Sequence, residues 1–474
     1  MISSIYEYLS ILLVGRKPAE EKDHEDNHTY TDVLEAVRSS IAQNHSEELS
    51  SALDNADAAQ SLKTLIYRYA AEYLAGEDYD RDAITERIYQ DMAGLGLLTK
   101  YLYDPTVEEI NINSYDFVEV KYSTKTVYLF GEEAFASENA ALDIVKRMVR
   151  IGGKLLDART PQVDSFIGSG IRISAKIPPA VPKEAGIMAS IRKQSRSRIT
   201  GKQLIEGGVA LPEMLDFLTM CLCNHVSVGI AGSTGSGKTS LQAFLANEYI
   251  TKNESPNNRV YVIEDSRELN LIKYDVENDR PARVMYNLTI REPSEITMSD
   301  QVKSALRFDP ELIIPSEVRD GAAYDAADAG QTGHTILTSF HADGAMEGYH
   351  RLVTLCHKTT NNLSDEQLLD ECIHAWPILV FQKQLKDGSR KMMEIFEATG
   401  HENGKVQGNM LFRFVVEETE RNGRGRITCV RGHHERCGCI SPSLYKRLRD
   451  NGASAEKLKS IFPEGKPLED AHEN

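Results

Sequence analysis

The chain has 474 residues, more than one hydrophobic core usually organises, which predicts two or three domains. Its composition, 41% hydrophobic and 26% charged, is that of a folded soluble protein and excludes the disordered, collagenous and membrane-embedded classes. Lys and Arg number 54 against 71 Asp and Glu, a formal charge of −17, which disfavours nucleic acid as a partner because such a surface repels phosphate backbones.

The N-terminal apolar run from Ile5 to Val14 is interrupted by Glu7 and is too short to span a bilayer, which takes about 20 residues. It has neither a basic region before it nor a small-residue cleavage site after it. We therefore expect no secretion signal and a cytoplasmic protein.

The seven cysteines are odd in number and scattered, which indicates reduced thiols rather than a disulfide framework. One group has the side-chain types that bind zinc, but its spacing fits neither a paired C-x₂-C arrangement nor a zinc finger. A surface turn is the favoured interpretation and metal binding stays open for this group, which is Cys429, His433, His434, Cys437 and Cys439.

The pattern along the chain changes four times. A polar, acid-rich start predicts a mobile or weakly helical arm. Apolar residues at helical spacing then predict a small helical bundle, followed by alternating strand patterns such as Glu109–Ile112 and Val118–Tyr122. A stretch rich in Ser, Arg and Lys suggests a linker, and strands and helices alternate after it. The predicted segments are an arm at 1–55, an N-terminal domain at 56–193, a linker at 194–206, a second domain at 207–460 and a tail at 461–474.

Continuous apolar runs mark the strands of the second domain. They occur at Val226–Ile230, Val260–Ile263, Leu312–Ile314 and Thr335–Leu337. Runs without alternation are typical of strands buried on both faces, so the pattern predicts an α/β fold with helices on both sides of a sheet.

A phosphate-loop pattern lies between the first of these runs and a predicted helix at Leu241–Ile250. Glycines let the backbone turn its N–H groups onto phosphates at a helix N-terminus, so the loop predicts binding of ATP. Lys238 should bridge the β- and γ-phosphates, and the Thr239 hydroxyl should bind Mg²⁺. The predicted binding residues are Gly232, Ser233, Thr234, Gly235, Ser236, Gly237, Lys238, Thr239 and Ser240.

Two acidic residues follow later apolar strands. Glu264 comes after Val260–Ile263, and Glu317 comes shortly after Leu312–Ile314. Phosphoryl transfer needs acidic groups to orient water and to hold Mg²⁺ directly or through water, so both are candidate catalytic residues and metal ligands. An acid in this position can also be only a helix cap.

His334 and His341 lie on either side of the strand-like stretch Thr335–Phe340. Their separation places them on opposite faces of a strand, so they are not expected to share a metal. We expect His341, at the strand's end, to sense the γ-phosphate.

Taken together, these motifs resemble the type II/type IV secretion ATPase superfamily from about Gly94 to Leu448. Asp104–Ile110 resembles the opening of the family's N-terminal domain, Ile263–Leu269 its Asp box, Leu306–Arg319 its Walker B region and Thr332–His341 its His box. The end of the chain is most similar to the tight-adherence (Flp-type) pilus branch, at Asp387–Arg390, Glu397–Gly400 and Ser441–Leu448.

The resemblance implies a RecA-like P-loop ATPase domain preceded by a helical segment and an α+β, PAS-like N-terminal domain. It also implies a homo-hexameric motor that hydrolyses ATP at the inner face of the cell membrane and acts on a membrane platform protein in pilus assembly or protein secretion. Arg172 and Arg192 match family arginines that reach from the N-terminal domain to the phosphates, although either could be an ordinary strand arginine.

One departure concerns Pro315-Ser316, which stands where the family usually has a small apolar residue and glycine before the Walker B glutamate. Proline removes a backbone donor at a strand end, which bears on the geometry around Glu317. The alternatives to a pilus or secretion motor are a conjugation-type (type IV secretion) ATPase, a nucleotide-binding scaffold with little turnover, and a nucleic-acid motor, which the charge disfavours.

Overall fold

Three groups of secondary structure elements follow one another along the chain, each with its own apolar core. They are seen in a computed structural model, which describes residues 30–45, 56–76, 79–92, 95–104, 106–122, 125–167, 170–193, 198–255, 258–290, 295–360 and 362–463. Among these residues, no helix combines the length and the apolar character needed to cross a bilayer.

The first group is a helical bundle, as the helical spacing predicted. Its helices are α1 (Tyr30–Asn44), α2 (Ala56–Tyr73) and α3 (Arg81–Met92). Buried apolar side chains from all three form one cluster, which includes Val33, Val37, Ile41, Leu62, Ile66 and Ile88.

Helix α1 lies within 1–55, where the sequence predicted a mobile or weakly helical arm. That prediction is wrong for this part of the segment, because Val33, Val37 and Ile41 recur every four residues and are buried against α2. Residues 1–29 and 46–55 of the predicted arm lie outside the described residues.

The second group is an antiparallel six-stranded sheet with strand order β3-β2-β1-β6-β5-β4. The short helix α4 (Thr99–Tyr103) precedes it, and α5 (Glu138–Ile151), capped by the Ser137 hydroxyl, packs its apolar side on one face. The opposite face presents polar side chains on most strands and a stacked aromatic group, Phe117, Tyr128 and Phe130, on β2 and β3. The strands are β1 (Val107–Ser114), β2 (Phe117–Tyr122), β3 (Thr126–Phe130), β4 (Gln162–Ile167), β5 (Ile171–Lys176) and β6 (Met188–Lys193).

The third group is built on a nine-stranded sheet with the order β11-β8-β12-β13-β7-β14-β15-β16-β17. Strands β11 to β14 in this order run parallel, and β14 to β17 continue the sheet antiparallel. The strands are β7 (Val228–Gly232), β8 (Arg259–Glu264), β11 (Arg283–Leu288), β12 (Leu312–Pro315), β13 (Thr335–Phe340), β14 (Ile378–Gln384), β15 (Arg390–Glu402), β16 (Lys405–Arg421) and β17 (Ile427–Arg436), with a small hairpin of β9 (Tyr274–Asp275) and β10 (Arg280–Pro281) beside them.

Helices cover both faces of this sheet, so two apolar cores lie on its two sides. Every residue of β7 and β13 is buried, which explains why the sequence shows apolar runs there instead of alternation. The predicted α/β fold is therefore confirmed. The helices are α6 (Gly201–Glu206), α7 (Pro212–Cys223), α8 (Lys238–Lys252), α9 (Met298–Ala305), α10 (Ala322–Gln331), α11 (Ala345–Cys356), α12 (Asp365–Ala375), α13 (Pro442–Asp450) and α14 (Ala455–Ile461).

Two predicted boundaries differ from the structure. Part of the predicted linker 194–206 is the helix α6, which Thr200 starts with a capping box and whose Leu204 is buried in the core of the nine-stranded sheet. The predicted tail 461–474 begins within α14, and Phe462 packs edge-on against Phe217 at 5.1 Å between ring centroids. Each segment is thus anchored in the core by buried apolar side chains, Leu204 in the first and Ile461 and Phe462 in the second.

Candidate functional site

The predicted phosphate loop connects β7 to α8 at the carboxyl end of the parallel strands. Gly235 and Gly237 have φ angles of +77° and +95°, which glycine adopts without strain. The loop ends at the N-terminus of a 15-residue helix, where unpaired N–H groups and the helix dipole favour anions.

The base of the loop approaches β14 closely. A Cβ at Gly232 would lie 2.3 Å from the Gln382 carbonyl oxygen and 2.7 Å from Ser236 Oγ. Ser236 Oγ and Gln382 Oε1 are buried, and neither has a hydrogen-bond partner among the described residues. The loop thus forms a tight cradle with polar atoms available to a ligand.

Lys238 folds back over this loop. Its Nζ donates to the carbonyls of Gly232 at 2.9 Å and Ser233 at 3.1 Å, and it lies 3.5 Å from His341 Nδ1. Burial lowers the pKa of Lys238 and the charges of Arg319 and Arg192 act in the same direction, while Glu317 opposes them. A buried ammonium whose two shortest hydrogen bonds go to neutral carbonyls is a site for a more strongly charged acceptor.

The ring of His341 lies between Lys238 and Glu317 and contacts both side chains. His341 Nε2 is 3.2 Å from Glu317 Oε1, and its Nδ1 is 3.1 Å from the Gly232 carbonyl oxygen. Arg319 Nε donates to the same carboxylate at 2.6 Å. Burial alone would raise the pKa of Glu317, but the hydrogen bond and charge of Arg319, with His341 and Lys238, lower it. The carboxylate is therefore ionised next to the phosphate loop.

Glu264 is engaged elsewhere. Its Oε1 accepts hydrogen bonds from the backbone N–H groups of Glu268 at 2.8 Å and Leu269 at 2.7 Å. Burial raises the pKa of Glu264 to about 7, although these two N–H groups and Arg267 act against the rise. Its neighbour Asp265 shares Arg319 with Glu317, because an Arg319 guanidinium nitrogen lies 4.0 Å from Asp265 Oδ2. The two predicted carboxylates thus have different surroundings.

The predicted arginines of the six-stranded sheet stand side by side. Arg172 on β5 is directly opposite Arg192 on β6, which puts both on the face that α5 does not cover. Arg192 is close enough for its charge to lower the pKa of Lys238. Arg172 lies over the ring of Phe166, 6.0 Å from its centroid. Of the two arginines, Arg192 is therefore the one whose charge is seen to act on Lys238 of the phosphate loop.

Thr239 and Ser240 follow Lys238 in the first turn of α8. The Thr239 hydroxyl and the Glu317 carboxylate are oxygen donors, the type that Mg²⁺ prefers. The cradle, the free polar atoms and these donors fit a nucleotide with its Mg²⁺. The metal-ligand assignments to Thr239, Glu264 and Glu317 stay predictions.

Sequence reasoning missed three residues that border the loop: Arg319, Gln382 and Arg390. Arg319 stands two positions after Glu317, so its place at the end of the Walker B region is the sequence feature that indicates it. Arg390 donates from Nε to the Gly235 carbonyl at 2.9 Å. The two residues are 155 positions apart in the chain, so no local sequence pattern predicts this contact. Gln382 is internal to β14 and resembles any buried strand residue.

The strand end at Pro315-Ser316 keeps its hydrogen bonds. The Pro315 carbonyl accepts from the Thr338 hydroxyl at 2.7 Å, and the Ser316 N–H donates to the Ile263 carbonyl at 2.9 Å. The missing proline donor therefore leaves β12 joined to both neighbours, and Glu317 projects beyond it.

The cysteine and histidine group lies mostly on β17. His433 bonds through its ring to Glu417 at 2.9 Å, whereas the next residue, His434, bonds to the Met392 carbonyl at 3.0 Å on the other face. No cluster of three or more His, Cys, Asp or Glu side chains suited to a metal occurs within the described ranges. All seven cysteines lie in these ranges and are free thiols.

A phosphate loop after a central parallel strand, with acids at or just beyond the ends of β8 and β12 in the same parallel sheet, defines a RecA-like P-loop nucleotide-binding protein. Residues 101–385, more than half of the chain, match the family described as Type II/IV secretion system protein. The chain belongs to this family, which confirms the superfamily resemblance seen in the sequence. The match does not distinguish the tight-adherence branch from the others.

Curated relatives include the uncharacterized protein MJ0900 of Methanocaldococcus jannaschii, 29% identical over 60% of this chain and 50% of that protein. The conjugal transfer protein TrbB of Rhizobium radiobacter is 26% identical over 50% of this chain and 68% of that protein. The chain spans half the length of MJ0900 and about a third, 34%, of MJ0781, another uncharacterized protein of the same organism. Among solved structures, the chain is similar to the Legionella pneumophila ATPase DotB, with a TM-score of 0.45, 17% identity and coverage of 77% of this chain and 85% of that one.

Proposed function

We propose that the protein hydrolyses ATP to ADP and phosphate at the phosphate loop and uses the energy as a motor. The observation that carries the proposal is the continuous set of contacts from the loop carbonyl of Gly232 through Lys238 and His341 to the ionised carboxylate of Glu317. A charge arrangement of this kind is suited to hold a triphosphate and to prepare water for attack.

Each residue has a proposed role in this reaction. The loop amides and Lys238 bind the β- and γ-phosphates, for which Lys238 exchanges its two carbonyl partners for phosphate oxygens. Glu317 accepts a hydrogen bond from the attacking water, which adds to the γ-phosphorus as the bond to the ADP oxygen breaks. His341 contacts the transferred phosphoryl group, and Mg²⁺, when bound near Thr239, would neutralise charge on the phosphate oxygens.

Glu264 is the second proposed carboxylate, acting on Mg²⁺ directly or through water. Arg172 and Arg192 are proposed to bring positive charge from the six-stranded sheet to the phosphates, so that nucleotide state changes the position of this sheet. This assigns the helical bundle and the six-stranded sheet to an N-terminal domain, and the chain from α6 to Phe462 to an ATPase domain.

For the whole protein, we propose a homo-hexamer at the inner face of the cell membrane that drives pilus assembly or protein secretion through a membrane platform protein. Membership of the secretion family supports this assignment, and the ending at Asp387–Arg390 supports the tight-adherence branch. The similarity to TrbB supports a conjugation-type ATPase as the second candidate. Crosslinking in cells, followed by identification of the membrane protein recovered, distinguishes a pilus platform from a conjugation channel.

The test of the chemistry is phosphate release by the purified protein with Mg²⁺ and ATP. Glu317→Gln should abolish release and leave ATP binding intact, because it removes the charge that orients water. Lys238→Ala should weaken both binding and release. Glu418→Gln, an exposed change on β16, is the matched control and should behave as the unmodified protein.

Two outcomes contradict the proposal in different ways. Unmodified protein that binds ATP without releasing phosphate would be a nucleotide-binding scaffold. Stimulation of hydrolysis by single-stranded or duplex DNA at low salt would instead indicate a nucleic-acid motor, against the expectation from the charge of −17.

A further inference from the structure

Arg390, the first residue of β15, touches the phosphate loop and the six-stranded sheet at the same time. Its Nε donates to the Gly235 carbonyl at 2.9 Å, and its NH2 nitrogen lies 3.7 Å from Glu108 Oε2. Its aliphatic stem also closes over the loop, since a Cβ on Gly237 would lie 3.3 Å from Arg390 Cδ. One side chain thus joins two parts of the molecule that have separate apolar cores.

The contact to Gly235 bears directly on phosphate binding. The Gly235 carbonyl and the Ser236 N–H belong to one planar peptide unit and point in opposite directions. Gly235 has a φ of +77°, in a region where glycine rotates freely between several conformations. A guanidinium that holds this carbonyl therefore also fixes the orientation of the Ser236 N–H, which donates to the Ser233 carbonyl at 3.3 Å within the loop.

Arg390 is presented by a fixed turn. The Leu385 N–H donates to the Ser389 carbonyl at 2.7 Å, and the Asp387 carboxylate accepts from the Ser389 N–H at 3.0 Å and hydroxyl at 2.7 Å. The same carboxylate accepts from the Val430 N–H of β17 at 2.8 Å. Because hydrogen bonds within the turn and to β17 hold the turn in place, the backbone of Arg390 has little freedom to move with Gly235 or with Glu108.

Glu108 is held at a local irregularity of the N-terminal sheet. The register of β1 against β2 shifts between Val107, opposite Tyr122, and Glu109, opposite Lys121, so Glu108 is the extra residue of a bulge. Bulges redirect a side chain out of the regular alternation of a strand. This one directs a carboxylate to the arginine that holds the loop.

We propose that Arg390 is a positioning residue that couples occupancy of the phosphate loop to the placement of the N-terminal sheet through Glu108. The inference rests on the proposed function, because it assigns a role at the same site. Linkage is reciprocal: if bound nucleotide strengthens the contact of Arg390 with Gly235 and Glu108, displacement of Glu108 weakens nucleotide binding by the same factor.

The test combines nucleotide affinity with hydrogen exchange, measured on the full chain with Mg-ADP. Arg390→Ala should weaken ADP binding by about tenfold, the size expected when one charge-assisted hydrogen bond is lost. Glu108→Gln should change the affinity by less than about fivefold, because its ion pair is partly exposed. Arg413→Ala, which removes an exposed arginine of the same sheet, is the control and should match the unmodified protein.

Hydrogen exchange separates coupling from a merely structural role. In the unmodified protein, saturating Mg-ADP should slow exchange both in the phosphate loop and in β1. Arg390→Ala and Glu108→Gln should keep the slowing in the loop at saturating ADP and lose it in β1. Arg390→Lys, which keeps the charge but offers one nitrogen for two partners, should retain affinity better than Arg390→Ala while losing the response of β1.

The inference is overturned if Arg390→Ala binds ADP as tightly as the unmodified protein, or if β1 responds to ADP equally in all variants. Failure of the unmodified protein to bind ADP would contradict the proposed function instead. Should Arg390→Ala not fold, Arg390→Lys and Glu108→Gln decide the matter, because neither removes the packing of the Arg390 stem over the loop.

Discussion

Substitution of Gly232 by alanine should selectively disable the phosphate loop. The added Cβ would lie 2.3 Å from the carbonyl oxygen of Gln382, a backbone atom in the interior of the sheet that cannot move away. The loop must shift by about 1 Å to reach an ordinary contact distance, and overpacking of this kind costs about 1–3 kcal/mol. If the added Cβ destabilises the nucleotide-binding conformation of the loop by this amount, nucleotide affinity falls about fivefold to more than a hundredfold.

Isothermal titration with Mg-ADP measures this loss. Gly425→Ala is the matched control, since Gly425 has a φ of +76° at the tip of the β16–β17 hairpin and a Cβ there would meet nothing within 4 Å. It should strain the hairpin without changing affinity. Unchanged ADP binding by Gly232→Ala would show that the tight approach of loop and β14 has no part in nucleotide binding.

Two further predictions concern stability, each measured by urea denaturation. Phe462→Ala should lower the free energy of unfolding by about 3–5 kcal/mol, because the ring is buried against Phe217 and Phe412; a loss under about 1 kcal/mol would mean that the segment is a tail after all. Burial raises the pKa of Glu397, although hydrogen bonds from Ser441 and Asn409 oppose the rise, so the native state binds the proton more tightly than the unfolded chain. The stability conferred by the protonated form of Glu397 is lost as pH rises above about 4.5. Glu397→Gln can keep the same partners without a charge, so it should be more stable than the unmodified protein at pH 8 but not at pH 4. An equal difference in the free energy of unfolding at both pH values would refute this.

The sequence was sufficient where function depends on contiguous residues. Gly232 to Thr239 form a local pattern between a strand and a helix, and the structure has both elements where they were predicted. Glu317 and His341 were found because each follows a buried strand, and parallel strands end at one edge of the sheet. The contact of Arg390 with the loop joins positions too distant in the chain for any periodicity to reveal it.

Elements with charged or short patterns were harder to find. Strand β16 continues through Glu418 and Glu420, which are paired with β17 but not covered by a core, so neither apolar periodicity nor burial marks it. In helix α1, Val33, Val37 and Ile41 recur at helical spacing, but they form a narrow apolar stripe in an acid-rich part of the sequence. In both cases, contacts with distant parts of the chain determine the secondary structure, and the local composition alone does not predict it.

Strand β7, which carries the phosphate loop, is hydrogen-bonded to β13 on one side and to β14 on the other. Through β14, β15 and β16 the backbone ladder continues, with bulges in its register, to β17 at the far edge of the sheet. A pull applied along β17 is therefore a shear load, shared by many parallel hydrogen bonds rather than concentrated on one. The nine-stranded sheet therefore offers a continuous hydrogen-bonded path for force between its outer edge and the phosphate loop.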